Sequence, residues 1–208
     1  TIIVLVLFYP IVFEGKTFGS PDSLNPRSSS MILEQSRKTD GQFPLWQPWI
    51  FSGMPTADAF TYISSLYFPN YVLNLLFQSS HLNQLLHLIF TGLGGFVFLR
   101  FLGLAKIVAF MGATAFMITP FMITMIVFGH GSQMMTAAYL PWIMWMTIKV
   151  MTKPSFCGVG LLAVLMGFQL QRAHAQIAYY TWMLAGAYVL FYLLWNINNT
   201  KETKIYNI

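Results

Sequence analysis

The chain has no carboxylate between Asp58 and Glu202, an interval that covers most of its 208 residues. A soluble domain has roughly 25% charged residues, whereas 8% of this chain is charged and 56% is hydrophobic. So long a stretch without acidic residues is hard to keep in solution, but it suits a bilayer, where a buried charge is costly. The sequence therefore predicts an all-α transmembrane protein whose main partner is the lipid bilayer.

Several apolar runs approach the length of about 20 residues that a helix needs to cross the hydrocarbon core. They cover residues 1–13, 81–99, 107–128, 134–148, 156–170 and 177–195. Pro120 and Pro141 predict kinks in two of these runs, which membrane helices tolerate. We expect about six spans in one polytopic membrane domain over 1–208, with a large loop at 14–80 and helical hairpins at 81–195. Because the sequence opens inside one apolar run and stops just after another, we expect a fragment of a longer protein.

The orientation of the spans follows from basic residues at alternate connections. These are Arg100 with Lys106, Lys149 with Lys153, and Lys201 with Lys204. By the positive-inside rule, the side that holds all three pairs is cytoplasmic. The 14–80 loop and the turns at 129–132 and 172–174 are then non-cytoplasmic. The net charge of +5 is thereby explained by orientation, and no nucleic-acid partner is expected.

The long first loop carries signals of its own folded structure. An Asn-Pro pair at 25–26 is a typical helix start, and it predicts a helix over 25–38. The following segment, 43–55, is rich in proline and aromatic residues. We expect it to fold at the membrane interface, where tryptophan is favoured, with Trp46 and Trp49 buried there. Residues 67–77 predict an interfacial helix before the next span.

Five polar residues fall on the predicted outer face. They are Asp22 in the long loop, His130 in the second outer turn, and Arg172, His174 and Gln176 at the third. A carboxylate can act as a general base on a hydroxyl, and an arginine can bind phosphate through two parallel hydrogen bonds. This combination suits transfer of a group from a phosphate-linked donor to an alcohol, with Asp22 catalytic and the other four binding the donor.

Each of these residues also has a structural interpretation. Asp22 follows a proline and could shape a turn. His130 lies between two glycines and could satisfy a helix end. Arg172 could extend its charge to lipid headgroups, while His174 and Gln176 could bond to helix ends. The sequence alone leaves both interpretations open for every one of them.

The remaining titratable residues form no further motif. Glu14, Asp40 and Asp58 are the other carboxylates of the predicted loop. His81 and His87 are six residues apart, unlike the one-face spacing of a helical zinc site. No metal ligands are therefore indicated, and the cofactor requirement, including any divalent metal, stays open.

Three stretches resemble the YfhO family of bacterial membrane proteins. The first is Gly-Ser-Pro-Asp at 19–22, followed by Phe-Pro-Leu-Trp-Gln-Pro-Trp-Ile-Phe-Ser-Gly-Met-Pro at 43–55. The second is Gly-His-Gly-Ser-Gln-Met-Met at 129–135, leading to Tyr-Leu-Pro at 139–141. The third is Gln-Leu-Gln-Arg-Ala-His-Ala-Gln-Ile-Ala-Tyr-Tyr at 169–180. Together they extend over nearly the whole chain, and the proline-tryptophan segment is the most specific.

The resemblance implies a C-type glycosyltransferase fold in the bacterial cytoplasmic membrane. Such an enzyme takes a sugar from a polyprenyl-phosphate carrier and transfers it to a glycan or another cell-envelope polymer outside the cytoplasm. Asp22 stands where the family's acidic residue is expected, early in the first outer loop. The resemblance also implies later spans and a C-terminal outer domain, which we expect to lie beyond this chain. The alternative is a non-catalytic multi-pass protein, either a transporter or a scaffold for envelope assembly.

Overall fold

The computed structural model describes residues 2–20, 22, 24–42, 44–49, 52–56, 67–76 and 80–205. Most of the residues that the structure describes are helical. In chain order the elements are α1 (Ile2–Leu7), α2 (Tyr9–Phe13), α3 (Leu24–Asp40), β1 (Trp46–Gln47), β2 (Met54–Pro55), α4 (Pro69–Leu76), α5 (Ser80–Phe101), α6 (Lys106–Met117), α7 (Pro120–Val127), α8 (Gly131–Ala137), α9 (Leu140–Thr152), α10 (Phe156–Leu170) and α11 (Ala175–Ile205). The all-α prediction is confirmed, apart from the two-residue strands.

Three helical stretches are long and apolar enough to span a membrane. They are His81–Phe101 in α5, Lys106–Val127 across α6 and α7, and Ala175–Ile197 in α11. No more than 33% of any of their apolar windows is buried inside the protein, so most of their apolar surface faces outward. An apolar surface of this extent requires lipid around it, and the chain is therefore a membrane protein. The helix α10 is apolar but shorter.

Proline residues break two of the predicted spans where the sequence indicated kinks. The span over 107–128 divides at 118–119, and Pro120 opens α7. The span over 134–148 divides at 138–139, and Pro141 lies in the first turn of α9. Proline has no N–H to donate to the preceding turn, and its ring clashes with the carbonyl group there. Both predicted kinks are confirmed.

The helix α5 lies at the centre of the bundle, packed against α6, α8 and α9. Glycine allows the closest of these approaches. A β-carbon at Gly95 would lie 3.3 Å from the Cα atom of Ala113 in α6. On another face, the indole of Trp142 in α9 donates a hydrogen bond of 2.9 Å to the carbonyl of Phe90. These two contacts hold α6 and α9 at fixed depths beside α5.

The first loop is folded in the part that the structure describes. The helix predicted at 25–38 is confirmed as α3, and α4 falls within the interfacial helix predicted at 67–77, whose last residue lies outside the described ranges. The strands β1 and β2 form a short antiparallel hairpin. Its Trp46 is 55% exposed and Trp49 is 48% exposed on the protein itself, so both rings are open to their surroundings, and their burial at the membrane interface stays a prediction. Alternation along β1 buries Gln47 and leaves Trp46 stacked on Gly53 of its own hairpin.

Candidate functional site

One end of the bundle collects four chain segments, three of which carry the predicted site residues. These three are the loop that precedes α3, the turn between α7 and α8, and the turn between α10 and α11 with the start of α11; the fourth segment is the start of α5. We call this the loop end. The opposite end, the basic end, holds the connections with Arg100, Lys106, Lys149 and Lys153. The up-and-down course of the helices is what separates the two sets of residues.

Ser20 fixes the loop against the bundle at the loop end. Its hydroxyl donates a 2.7 Å hydrogen bond to the carbonyl oxygen of Phe128, just after α7. The same hydroxyl accepts a 3.3 Å hydrogen bond from the backbone N–H of Asp22. The turn is therefore shaped by Ser20, which leaves the Asp22 carboxylate available for other contacts.

Asp22 and His130 form a pair across the loop end. The Asp22 Oδ2 atom lies 3.4 Å from His130 Nε2, and the two side chains are 60% and 43% exposed. His130 makes no side-chain hydrogen bond to cap α8, so the helix-end interpretation does not account for it. The sequence placed these two residues on one face, and the structure brings them into contact at an accessible position.

His174 lies close enough to His130 for the charge of one ring to affect the pKa of the other. Burial is the main cause that lowers the pKa of His174 from 6.5, and the neighbouring His130 lowers it further, against a raising backbone hydrogen bond. Its Nδ1 atom accepts a 3.4 Å hydrogen bond from the N–H of Ile177 in the first turn of α11. The neutral ring therefore carries its proton on Nε2. His174 combines the predicted helix-end contact with a place beside the candidate site.

Arg172 points into the protein, away from the surface of the loop end. It is fully buried, and its guanidinium carbon lies 4.3 Å from the centre of the Tyr67 ring. Its Nη2 atom is 2.6 Å from the sulfur of Met135 in α8. Met135 comes five residues after His130, which is about 7.5 Å further along the chain at the helical rise of 1.5 Å per residue. The lipid-headgroup interpretation of Arg172 is therefore wrong. The backbone explains the direction, because Ala173 has a φ of 59° and reverses the chain between Arg172 and His174.

Gln176 makes its contact on the surface of α11 and not with the Asp22–His130 pair. Its side chain is exposed and donates a 2.7 Å hydrogen bond to the hydroxyl of Tyr180, one turn further along α11. This contact runs along the helix surface and satisfies no helix end. The donor-binding role of Gln176 stays a prediction.

Gln84 is a loop-end residue that the sequence did not indicate. Its side-chain nitrogen occupies the space above Gly131, where an added β-carbon would lie 2.3 Å from it. Its carbonyl oxygen is buried and, within the described part of the chain, accepts no hydrogen bond. The one available signal was the glycine next to His130, because a glycine in that position lets a polar side chain approach the backbone.

A buried polar chain continues inward from Arg172. The hydroxyl of Tyr67 is hydrogen-bonded to the hydroxyl of Tyr139 and lies 3.0 Å from His87 Nε2. The other ring nitrogen of His87 is 2.8 Å from the carbonyl oxygen of Asn83, one turn earlier in α5. His87 therefore donates from Nδ1 to the carbonyl and accepts at Nε2 from the tyrosine hydroxyl. Ionisable residues inside a membrane segment are costly and mark functional positions.

A cavity of about 450 Å³ adjoins this chain between α4, α5, α9 and α10. Tyr67, His87 and Tyr139 form its polar part, and its other lining residues are apolar. The lining residues Val72 and Leu161 are 57% and 42% exposed, so the cavity opens on the outside of the bundle. A polar inner end and an apolar outer opening suit an amphipathic ligand that enters from the lipid.

Among the described residues, no three His, Cys, Asp or Glu side chains come together to hold a metal ion. Comparison with known proteins gives no match to a family model, a curated protein or a solved structure. The function must therefore be argued from the residues at the loop end and from the cavity beneath them.

Proposed function

We propose that the protein is a membrane glycosyltransferase of the YfhO type, which moves a sugar from a polyprenyl-phosphate donor to a cell-envelope acceptor. The observation that carries the proposal is the contact between Asp22 and His130, with Nε2 3.4 Å from Oδ2. The pair joins a carboxylate from the first loop to an imidazole from the bundle at an accessible position. A positioned carboxylate beside a hydrogen-bonding ring can act as the general base for an alcohol.

In the proposed reaction the acceptor hydroxyl oxygen attacks the anomeric carbon of the sugar. The bond from that carbon to the phosphate oxygen breaks, and the polyprenyl phosphate leaves with the electron pair. Asp22 takes the proton of the attacking hydroxyl. His130 orients the carboxylate, and the N–H of neutral His174 is available to the sugar or to a phosphate oxygen.

Arg172 contributes through its charge in this proposal. It is fully buried with its guanidinium under the Tyr67 ring, so it does not grip a phosphate at the surface. A positive charge in a poorly solvated interior acts over several ångströms, because the surroundings screen it less than water does. The buried charge of Arg172 would therefore stabilise a phosphate at the polar end of the cavity.

The cavity provides a place for the carrier lipid. Its apolar lining and its opening between α4 and α10 fit a flexible hydrocarbon chain that approaches sideways through the bilayer. Burial of such a chain stabilises binding by about 0.8 kcal/mol per methylene group. The polyprenyl tail would then lie in the cavity, with its phosphate toward Tyr67 and its sugar toward Asp22.

The proposal also fixes the orientation in the bacterial cytoplasmic membrane. The loop end faces outward and the basic end faces the cytoplasm, in agreement with the positive-inside rule. About six spans place all of the basic connections on one side. The sugar is then transferred on the non-cytoplasmic face, where envelope polymers are modified.

One observation favours a second candidate, a transporter. His87 and Arg172 are both buried in the interior of the bundle, and transporters hold their substrates between broken helices near the membrane midplane. The helix breaks at 118–119 and 138–139 are discontinuities of the type that form transporter binding sites. The contact of Asp22 with His130 at the accessible loop end has no role in it.

A radiolabel experiment separates the two candidates. Full-length protein in proteoliposomes is supplied with polyprenyl-phosphate-linked sugars labelled in the sugar, together with envelope polymer on the outside. Label that becomes covalently attached to the polymer supports the transferase. Label that crosses the membrane while still lipid-linked or free, with none attached, supports the transporter and contradicts the proposal.

A further inference from the structure

The four cations of the basic end carry charge that no ion pair neutralises among the described residues. Arg100 lies in the last turn of α5 and Lys106 opens α6, while Lys149 lies in the last turn of α9 and Lys153 follows it. The ion pairs of the described residues involve none of these four, and no carboxylate occurs in α5 to α10. This end of the bundle is therefore a positively charged surface.

The two pairs of cations come together because α5 and α9 are neighbours that run in the same direction. His87 contacts Tyr139, with 6.4 Å between ring centres. One turn later in both helices, Phe90 stacks on Trp142 at 4.9 Å and accepts the hydrogen bond of its indole. The register of the two helices is thus fixed by two successive contacts.

This register brings the cations to similar depths. Arg100 comes ten residues after Phe90, and Lys149 and Lys153 come seven and eleven residues after Trp142. At 1.5 Å per residue, Arg100 lies about 15 Å beyond the stacked pair, between Lys149 at about 10 Å and Lys153 at about 16 Å. The turn between α5 and α6 and the turn between α9 and α10 therefore form one basic surface.

Large apolar side chains are exposed beside these cations. Ile107 follows Lys106 and is 65% exposed, and Phe156, in the first turn of α10, is 100% exposed. The ammonium group of Lys149 lies 5.1 Å from the centre of the Trp145 ring, and tryptophan and lysine are typical of the membrane–water interface. A soluble anion would leave the apolar side chains in water. A lipid offers a phosphate to the cations and acyl chains to their apolar neighbours.

We propose that the basic end is a binding surface for anionic phospholipids of the leaflet that it faces. The cations of both turns hold the lipid phosphates, and Ile107 and Phe156 lie among the upper parts of the acyl chains. Orientation requires only that basic residues lie on this side, whereas this proposal adds a preference for anionic over zwitterionic lipid. Each Lys or Arg near an anionic surface strengthens binding about fivefold. The proposal does not rest on the proposed transferase function.

Native mass spectrometry of the full-length protein in detergent measures this preference, because it resolves each bound lipid. Phosphatidylglycerol and phosphatidylcholine are titrated separately, and the parent should bind phosphatidylglycerol more tightly. The double variant Arg100→Gln, Lys106→Gln should weaken phosphatidylglycerol binding by about five- to 25-fold and leave phosphatidylcholine binding unchanged. The matched control is Arg37→Gln, Lys38→Gln, which removes the same charge from the exposed surface of α3 and should bind both lipids as the parent does.

A second pair of substitutions and a soluble competitor complete the test. Lys149→Gln, Lys153→Gln should weaken phosphatidylglycerol binding to a similar extent, and it carries the test if the first double variant fails to fold. Glycerophosphoglycerol, the same headgroup without acyl chains, should not displace the lipid at equal concentration. Displacement would show a site for soluble anions and overturn the proposal. Equal binding of the two lipids by the parent, unchanged binding by the basic-end variants, or equal weakening by the α3 control would also overturn it.

Discussion

Replacing Ser20 with alanine tests how the loop is held against the bundle. The change removes the 2.7 Å hydrogen bond to the Phe128 carbonyl and the 3.3 Å bond from the Asp22 N–H. Each bond contributes about 0.5–1.5 kcal/mol net, so Ser20→Ala should lower the free energy of unfolding by about 1–3 kcal/mol. Ser20 is 6% exposed, so water replaces these bonds poorly.

The functional effect should exceed the loss of stability. Without Ser20, Asp22 is no longer fixed opposite His130, and the transfer rate should fall while the protein stays folded. Thermal unfolding in nanodiscs and the labelled-sugar assay measure the two effects. Ser36→Ala is the matched control, since it removes a 2.9 Å bond to Asp40 on the exposed surface of α3 and should change neither. Equal results for the two alanine variants would refute the role of Ser20.

Three further predictions concern orientation, pH and charge. In a cysteine-free background, a cysteine replacing Ser132 should react with an impermeant thiol reagent in intact cells and one replacing Lys153 should not; the reverse pattern would overturn the orientation. Because the folded protein lowers the pKa of His174 from 6.5, the unfolded chain binds the proton more readily, and stability should fall as the pH drops below about 6.5. Thermal midpoints at pH 7.5 and 5.5 should differ less for His174→Gln than for the parent, and an equal difference would remove His174 as the cause. Because Arg172 acts by its charge, Arg172→Lys should keep much of the affinity for the polyprenyl-phosphate donor, whereas Arg172→Gln should lose it. Equal losses of affinity for the two variants in a donor titration would indicate that the guanidinium geometry matters.

Local features of the fold were predictable from the sequence because their causes are local. Proline at 120 and 141 cannot continue the helix of the preceding turn, and the Asn-Pro pair at 25–26 lies at the start of α3. Apolar runs without carboxylates indicated membrane helices for the same reason. The burial of Gln47 in β1 was not predictable, because it depends on a hairpin whose register the sequence did not reveal.

The candidate site was predictable only as a set of residues on one face. The contact of Asp22 with His130 depends on the Ser20 bond to Phe128, which joins distant parts of the chain. Arg172 turns inward because Ala173 adopts a positive φ, a conformation that an alanine rarely takes. Gln84 was missed because a glutamine near the start of an apolar helix is typical of a span boundary.

The most direct test of the central claim is the transfer rate of Asp22→Asn in the full-length protein. The amide keeps the shape of the side chain but cannot accept a proton near neutral pH, and loss of a general base costs about 10²–10⁴ in rate. Glu14→Gln is the matched control, because Glu14 is an exposed carboxylate of the same loop, paired with Lys16 at 2.6 Å. The account predicts a rate lowered by at least about 10² for Asp22→Asn and an unchanged rate for Glu14→Gln, with both proteins folded. An Asp22→Asn rate within a few-fold of the parent would contradict it and remove Asp22 from the mechanism.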